Sequence, residues 1–240
     1  RARREYRVPI EHTPLSERDG FHDTVMSYSA SQAMSEAERC LDCHAICSLC
    51  VGVCPNMALM TYESEPFATA LPVLRVEGGQ VVADGHEAYR AEQPLQIAVL
   101  TDFCNECGNC VTACPTSGEP YRDKPRLYLD RDDFEAEADN AFMLHADGLV
   151  EGRYGGQTHR LSVDGSVEYQ APGLRAQLDP VSLALLEGEA TTRAAEARSL
   201  RPAADMLVLA RGLRGSMPQL PLLTATAASG SRVAHPGYEE

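Results

Sequence analysis

Nine cysteines fall in two tight groups, Cys40, Cys43, Cys47, Cys50 and Cys54, then Cys104, Cys107, Cys110 and Cys114. The second group reads Cys104-Asn-Glu-Cys107-Gly-Asn-Cys110-Val-Thr-Ala-Cys114-Pro115. That is C-x2-C-x2-C-x3-C-P, the run in which three closely spaced thiolates wrap one 4Fe-4S cube and the fourth reaches across to another cluster. A cubane needs sulfurs at the corners of a tetrahedron, and two-residue loops let three of them converge from one turn. Gly108 permits close backbone approach, while Pro115 removes a donor and redirects the chain.

The first group, Cys40-Leu-Asp-Cys43-His-Ala-Ile-Cys47-Ser-Leu-Cys50-Val-Gly-Val-Cys54-Pro55, repeats the ending C-x2-C-x3-C-P. A strict repeat would place its first ligand at His44, one residue after Cys43. The expected metal ligands are therefore Cys43, Cys47, Cys50 and Cys114 for one 4Fe-4S cluster, and Cys54, Cys104, Cys107 and Cys110 for the other. Cys40 is the spare thiol or an alternative ligand to the first cluster. Structural zinc also uses paired C-x2-C knuckles, but seldom so many cysteines or a proline after each last one. Cys43-x3-Cys47-x2-Cys50 has the spacing of clusters that cleave S-adenosylmethionine, yet a hairpin and a second cysteine run follow it instead of a large barrel. A thioredoxin-like dithiol lacks a flanking βαβ pattern.

Composition narrows the setting. The chain is 240 residues long, 44% hydrophobic and 23% charged, as a folded globular protein of one or two domains is. With 21 bases against 35 acids the net charge is −14, which argues against nucleic acid or anionic lipid as partner. No apolar run approaches the ~20 residues of a membrane span. Clustered thiols with no visible secretory signal point to a reducing cytoplasm and not to disulfides. A first residue that is Arg1 and not Met suggests a piece of a longer polypeptide. All bases but Lys124 are arginine, scattered as codon bias would scatter them.

Several elements must position the cysteines. Pro9 and Pro14 keep the start extended, Ser16 caps a short helix to about Val25, and Ser29 or Ser31 caps a second that delivers Arg39 and Cys40. Between the groups, Leu71 to Val76 and Val81-Val82 flank Gly78-Gly79 as a hairpin. Leu95 to Thr101 reads as a buried strand entering the second group, and Leu127 to Leu129 as one leaving it. The acidic run Asp130, Asp132, Asp133, Glu135, Glu137 and Asp139 reads first as a solvated face, with a docking surface for a basic partner or a divalent ion site as alternatives that lack a loop pattern such as the EF-hand series. Turn pairs at Asp147-Gly148, Gly155-Gly156 and Asp164-Gly165 mark an antiparallel meander, and Asp179-Pro180 opens a helix. Another helix lies near Asp205 to Leu213, and residues 215–240 read as a loose tail.

One combination of motifs carries a resemblance. Pro14-Leu-Ser-Glu-Arg18 followed by Glu36-Ala-Glu-Arg-Cys-Leu-Asp-Cys43 resembles the iron-sulfur arm of glutamate synthase small-subunit flavoproteins. Within that superfamily, Cys47-Ser-Leu-Cys50-Val-Gly-Val-Cys54-Pro-Asn56, Phe103 to Cys110, Gly118 to Tyr121 and Asp123-Lys124 are most similar to the C-terminal end of the selenate reductase subunit family. The resemblance covers about residues 5–130, and more loosely the meander to about 170. It implies an electron-carrying domain beside FAD- and NAD(P)H-binding domains on other parts of the polypeptide or on other chains, in an oxidoreductase often associated with a molybdenum hydroxylase. No G-x-G-x-x-G after a strand places either cofactor on this chain. Related arms in dihydropyrimidine dehydrogenase use the Arg-Cys-x2-Cys pair itself, which keeps Cys40 in the ligand set.

The expected fold is α+β, a dicluster ferredoxin-type domain. Its expected parts are a helical arm (1–39), the 2x(4Fe-4S) domain with a hairpin insertion (40–130), an acidic segment and β-meander (131–175), and a helical segment with a flexible tail (176–240). The expected function is electron transfer through two 4Fe-4S clusters to or from a flavoprotein domain or subunit, with a molybdenum hydroxylase or another redox subunit as further partner. A structural or assembly module, iron-sulfur or zinc, that binds a partner through its acidic surface is the alternative. No catalytic site of the chain's own is evident among seven scattered histidines.

Overall fold

The computed structural model describes residues 6–39, 46–77, 79–191 and 197–220. The chain forms two compact units, Arg1–His44 and Ala45–Glu240. In the first, helix α1 (Ala30–Glu38) begins at a capping box. The Ser29 hydroxyl accepts from the Gln32 amide at 3.3 Å, and the Gln32 side chain accepts from the Ser29 amide at 2.9 Å. The helix expected from Ser16 to Val25 is not formed; a single 3-10 turn, Leu15–Glu17, stands there. Its backbone groups are spent elsewhere, because Thr13 N donates to Thr24 O at 3.0 Å and Met26 N to Glu11 O at 2.9 Å, around the bridge His12↔Val25. Extended pairing has displaced helical pairing.

The second unit is built on one twelve-stranded sheet that crosses the segment boundaries expected from sequence. Its strands are β1 (Leu59–Glu63), β2 (Phe67–Glu77), β3 (Gln80–Ala91), β4 (Leu95–Leu100), β5 (Arg126–Leu127), β6 (Ala141–Leu144), β7 (Leu149–Tyr154), β8 (Gln157–Asp164), β9 (Ser166–Ala171), β10 (Leu174–Leu178), β11 (Leu185–Ala190) and β12 (Arg198–Ser199). In space they run β1-β4-β5-β6-β7-β8-β9-β10-β11-β3-β2-β12. All pairings are antiparallel except β4 with β5 and β5 with β6. The expected hairpin is β2–β3, and the expected meander is β6 to β9. Gly155 and Gly156, at φ 58° and 73°, close β7 on β8 in the doubly left-handed backbone that a two-residue hairpin turn asks for.

Helix α6 (Arg201–Ser216) packs against β1, β3, β7 and β8 and fills the main core. Ala203, Ala204, Met206, Leu207 and Leu213 are fully buried among Tyr62, Phe142, Leu161 and Leu174. This is the helix expected near Asp205, longer at both ends because its apolar residues are bounded by Pro202 at the second helical position and by Arg214 in the last turn.

Asp179-Pro180 opens no helix. The Asp179 carboxylate instead accepts from the Val181 and Ser182 amides at 3.0 and 2.8 Å, and Leu183, at φ 58° and fully buried, turns the chain back into β11. The acidic run is also more than a solvated face. Asp130 caps helix α5 (Arg131–Ala136), Glu137 binds the Arg126 guanidinium at 2.9 and 3.0 Å, and Asp139 accepts from the Gly155 amide at 2.6 Å. Most of the expected tail, residues 221–240, lies outside the described residues. No described helix is long and apolar enough to cross a membrane.

Candidate metal centre

Two short helices carry the central cysteines, α2 (Leu49–Gly52) with Cys50 and α3 (Asn109–Thr112) with Cys110. They pack together over a small core of Cys50, Leu59, Ile97, Val99 and Cys110, so each repeat buries its middle thiol against the other. The two repeats agree bond for bond. Cys54 N donates to Val51 O at 3.3 Å and Cys114 N to Val111 O at 3.1 Å; then Met57 N donates to Cys54 O and Ser117 N to Cys114 O, both at 3.3 Å. Met57 (φ 53°) and Ser117 (φ 56°) take the same left-handed backbone. That turn brings the following amide back onto the sulfur: Ala58 N lies 3.3 Å from Cys54 Sγ, and Gly118 N 3.3 Å from Cys114 Sγ.

Cys54, Cys104, Cys107 and Cys110 line one cavity together with Asn56, Leu59, Glu106, Gly108 and Tyr121. Three of these thiols come from the second repeat and one from the end of the first. Gly108, at φ 79° before α3, is the bend that lets Cys107 and Cys110 face the same space, and it has open room around it, so backbone conformation and not crowding calls for glycine there. Four thiols around a cavity suit an iron-sulfur cluster. Among the described residues, no three Cys, His, Asp or Glu side chains converge as a group that could hold a metal ion.

On the other side, Cys47 is half-buried, Cys50 buried and Cys114 half-buried, and none forms a disulfide. Cys43, Cys40 and His44 lie outside the described residues. Burial pushes the Cys50 and Cys104 thiols up. Burial would do the same to Cys54, but the amides that point at its sulfur outweigh it and hold that thiol below its ordinary value. Cys114 is held down too, first by the Thr116 hydroxyl at 3.3 Å and then by the Thr116 and Gly118 amides. Donors aimed at sulfur are what a thiolate ligand requires.

Thr116, Met57 and Ser117 are parts of this site that the cysteine spacing alone did not reveal. Superposing the two repeats in register would have found them, since they occupy the matching turns after Cys54-Pro55 and Cys114-Pro115.

Cysteines gathered at one cavity with amides aimed at their sulfurs are the features of a 4Fe-4S-binding, iron-sulfur type of protein. Residues 97–117, from β4 through the second repeat, match the family described as the 4Fe-4S binding domain. Over 134 residues, 56% of the chain, the sequence is 30% identical to the "Putative oxidoreductase YgfK" of Escherichia coli strain K12 and to the protein of the same name in Escherichia coli O157:H7. The chain spans 11% of the length of those relatives. No solved structure matches it.

Proposed function

We propose that this chain is the electron-carrying part of a larger FAD- and NAD(P)H-dependent oxidoreductase, a ferredoxin-type dicluster domain like that at the C-terminal end of the selenate reductase subunit family. The observation that carries the reading is the single cavity shared by Cys54, Cys104, Cys107 and Cys110, one ligand crossing over from the first repeat. By the same crossing, Cys114 completes a second set with Cys47, Cys50 and Cys43. Bound there, each 4Fe-4S cluster takes up and releases one electron at a time. The chain's residues hold the sulfurs, donate amides to them and keep the two sets adjacent through α2 and α3. A flavoprotein domain or subunit supplies the electrons, and a molybdenum hydroxylase or another redox subunit is a fitting acceptor. Thiols kept reduced suit the cytoplasm.

The test is iron, zinc and acid-labile sulfide per chain on anaerobically purified protein, with low-temperature EPR after dithionite reduction. About eight irons and eight sulfides with a spin-coupled spectrum are expected. Zinc without sulfide would overturn the reading in favour of a structural module.

A further inference from the structure

Away from the cysteines, another cavity opens where α6 meets β1, β3, β6 and β7. Its volume is about 410 Å³, within the range of small-molecule sites. Tyr62, Tyr89, Phe142 and Tyr154 give it aromatic walls, and Val208 and Leu209 of α6 add aliphatic surface. Three carboxylates line it: Asp205 from α6, Asp139, and Asp123 at the end of helix α4 (Pro120–Asp123).

No described lysine, arginine or histidine lines the cavity. The cations around it are engaged with other groups. Arg201 binds Glu87 at 3.0 Å and the Ala88 carbonyl at 2.7 Å, and its guanidinium stands 5.9 Å from the centroid of the Tyr89 ring. Arg126 binds Glu137 and the Asp139 carbonyl, and Arg122 binds Glu119 at 3.3 Å. Lys124 follows Asp123 in the chain but is not part of the lining.

The polar groups of the lining have spent most of their donors and kept acceptors. Tyr89 Oη donates to Asp205 Oδ1 at 2.8 Å, and Tyr154 Oη to Pro202 O at 3.3 Å. The Asn140 side-chain amide donates to Arg122 O and Lys124 O at 2.7 and 2.9 Å, and Gln96 Nε2 to Gln93 O at 2.9 Å. Asp139 Oδ1 and Asp123 Oδ2 each accept a backbone amide at 2.6 Å, from Gly155 and Glu119. Asp205 is exposed, so a ligand can reach its second oxygen, which has no partner among the described residues. Tyr62 is 4% exposed, and its hydroxyl has no hydrogen-bond partner among the described residues either.

We infer that this cavity binds an aliphatic amine as its ammonium ion, held by Asp205 and Tyr62, with its methylenes against Phe142, Val208 and Leu209. An alkylamine, like the lysine side chain at a pKa of about 10.4, is protonated at pH 7. Its N–H groups match the acceptors that remain, its charge matches the three carboxylates, and an aromatic face attracts it further. An anion would meet only acids. A divalent metal ion lacks its ligands, because no three Cys, His, Asp or Glu side chains converge among the described residues. The site uses no cysteine, so it stands apart from the reading of the clusters.

Calorimetric titration of the full chain with n-butylamine tests this, with n-butanol as the uncharged match and magnesium as the inorganic cation. Salt at about 0.15 M screens diffuse attraction to a chain of net charge −14. One saturable site for butylamine is expected. Asp205→Asn weakens it about tenfold and Tyr62→Phe several-fold, since each removes an acceptor from a charged donor. Asp132→Asn, which removes an acid of α5 outside the cavity, leaves it unchanged. Binding of n-butanol as tight as that of the amine, displacement of the amine by magnesium, or an unchanged affinity in Asp205→Asn would overturn the assignment. Should Asp205→Asn fail to fold, Tyr62→Phe decides it, because the hydroxyl it removes bonds no described residue; an affinity equal to wild type then rejects the site.

Discussion

At Cys54 and Cys114 the same local device is used twice. Proline follows the ligand, a non-glycine residue takes positive φ two positions later, and the next amide meets the sulfur at 3.3 Å. Met57 and Ser117 adopt a backbone that L-residues occupy at a cost of roughly 1–2 kcal/mol, and a β-branched side chain pays more than most. Met57→Val should therefore lower the unfolding free energy by about 1 kcal/mol, with Met57→Gly close to wild type, as denaturant titration would show. Equal stability of the two variants would mean that the turn relaxes freely. Cys107 is the most solvent-exposed thiol of its cavity. Removing it as Cys107→Ser should cut iron and sulfide by about half and abolish electron transfer while the other ligand set, which does not use it, keeps its cluster. Unchanged turnover would sink the electron-carrier reading.

Among the elements, α6 shows how closely the core is fitted. A Cβ on Gly212 would come within 2.5 Å of the Tyr62 ring and 2.6 Å of the Glu63 carbonyl, so helix and β1 touch through a glycine. Gly212→Ala should destabilise by about 1–3 kcal/mol, because the contact on one side is backbone and cannot swing away. A thermal midpoint within a degree of wild type would show that α6 shifts at no cost. The elements legible in sequence were those with strong local signals: the capping box at Ser29, the β2–β3 hairpin around Gly79, the meander with its glycine turns and the apolar stripe of α6. The illegible ones were decided by distant partners. Asp179-Pro180 has the chemistry of a helix start, but the buried Leu183 pulls the chain into a turn, and the stretch after Ser16 loses its helix to pairing between residues 11–13 and 24–26. Cysteine spacing exposed the site because a cluster constrains sulfurs locally. It could not expose the scaffold, a sheet whose neighbours, such as β11 beside β3, are far apart in the chain.

Across the whole molecule the sheet is locked by charge as well as by apolar packing, and that makes its stability depend on pH. Glu151, on β7 and 2% exposed, receives Arg160 Nε at 2.9 Å, the Arg131 guanidinium, and His145 Nε2 at 3.0 Å. Burial alone would raise its pKa, but these partners outweigh it and hold the carboxyl at about 2. His159, on β8 against the Tyr169 hydroxyl at 2.6 Å, is lowered by burial to about 4. Both pKa values lie below those of the unfolded chain, so between the two values the unfolded state binds more protons and stability falls as pH falls. The His159 contribution is lost from about pH 6.5 down to 4, and the Glu151 contribution from about 4.5 down to 2, each on the order of 3 kcal/mol. Glu151→Gln should be less stable at pH 7 by about 3 kcal/mol, since the amide stands in for the protonated carboxyl and removes the charge that His145 and the part-exposed Arg131 and Arg160 guanidinium groups hold. It should also lose the part of the acid slope below pH 4.5 while keeping the part above it that His159 controls. Denaturant midpoints measured from pH 7 to pH 3 check both limbs, and a variant whose low-pH slope matches wild type would show that Glu151 is not the group being protonated.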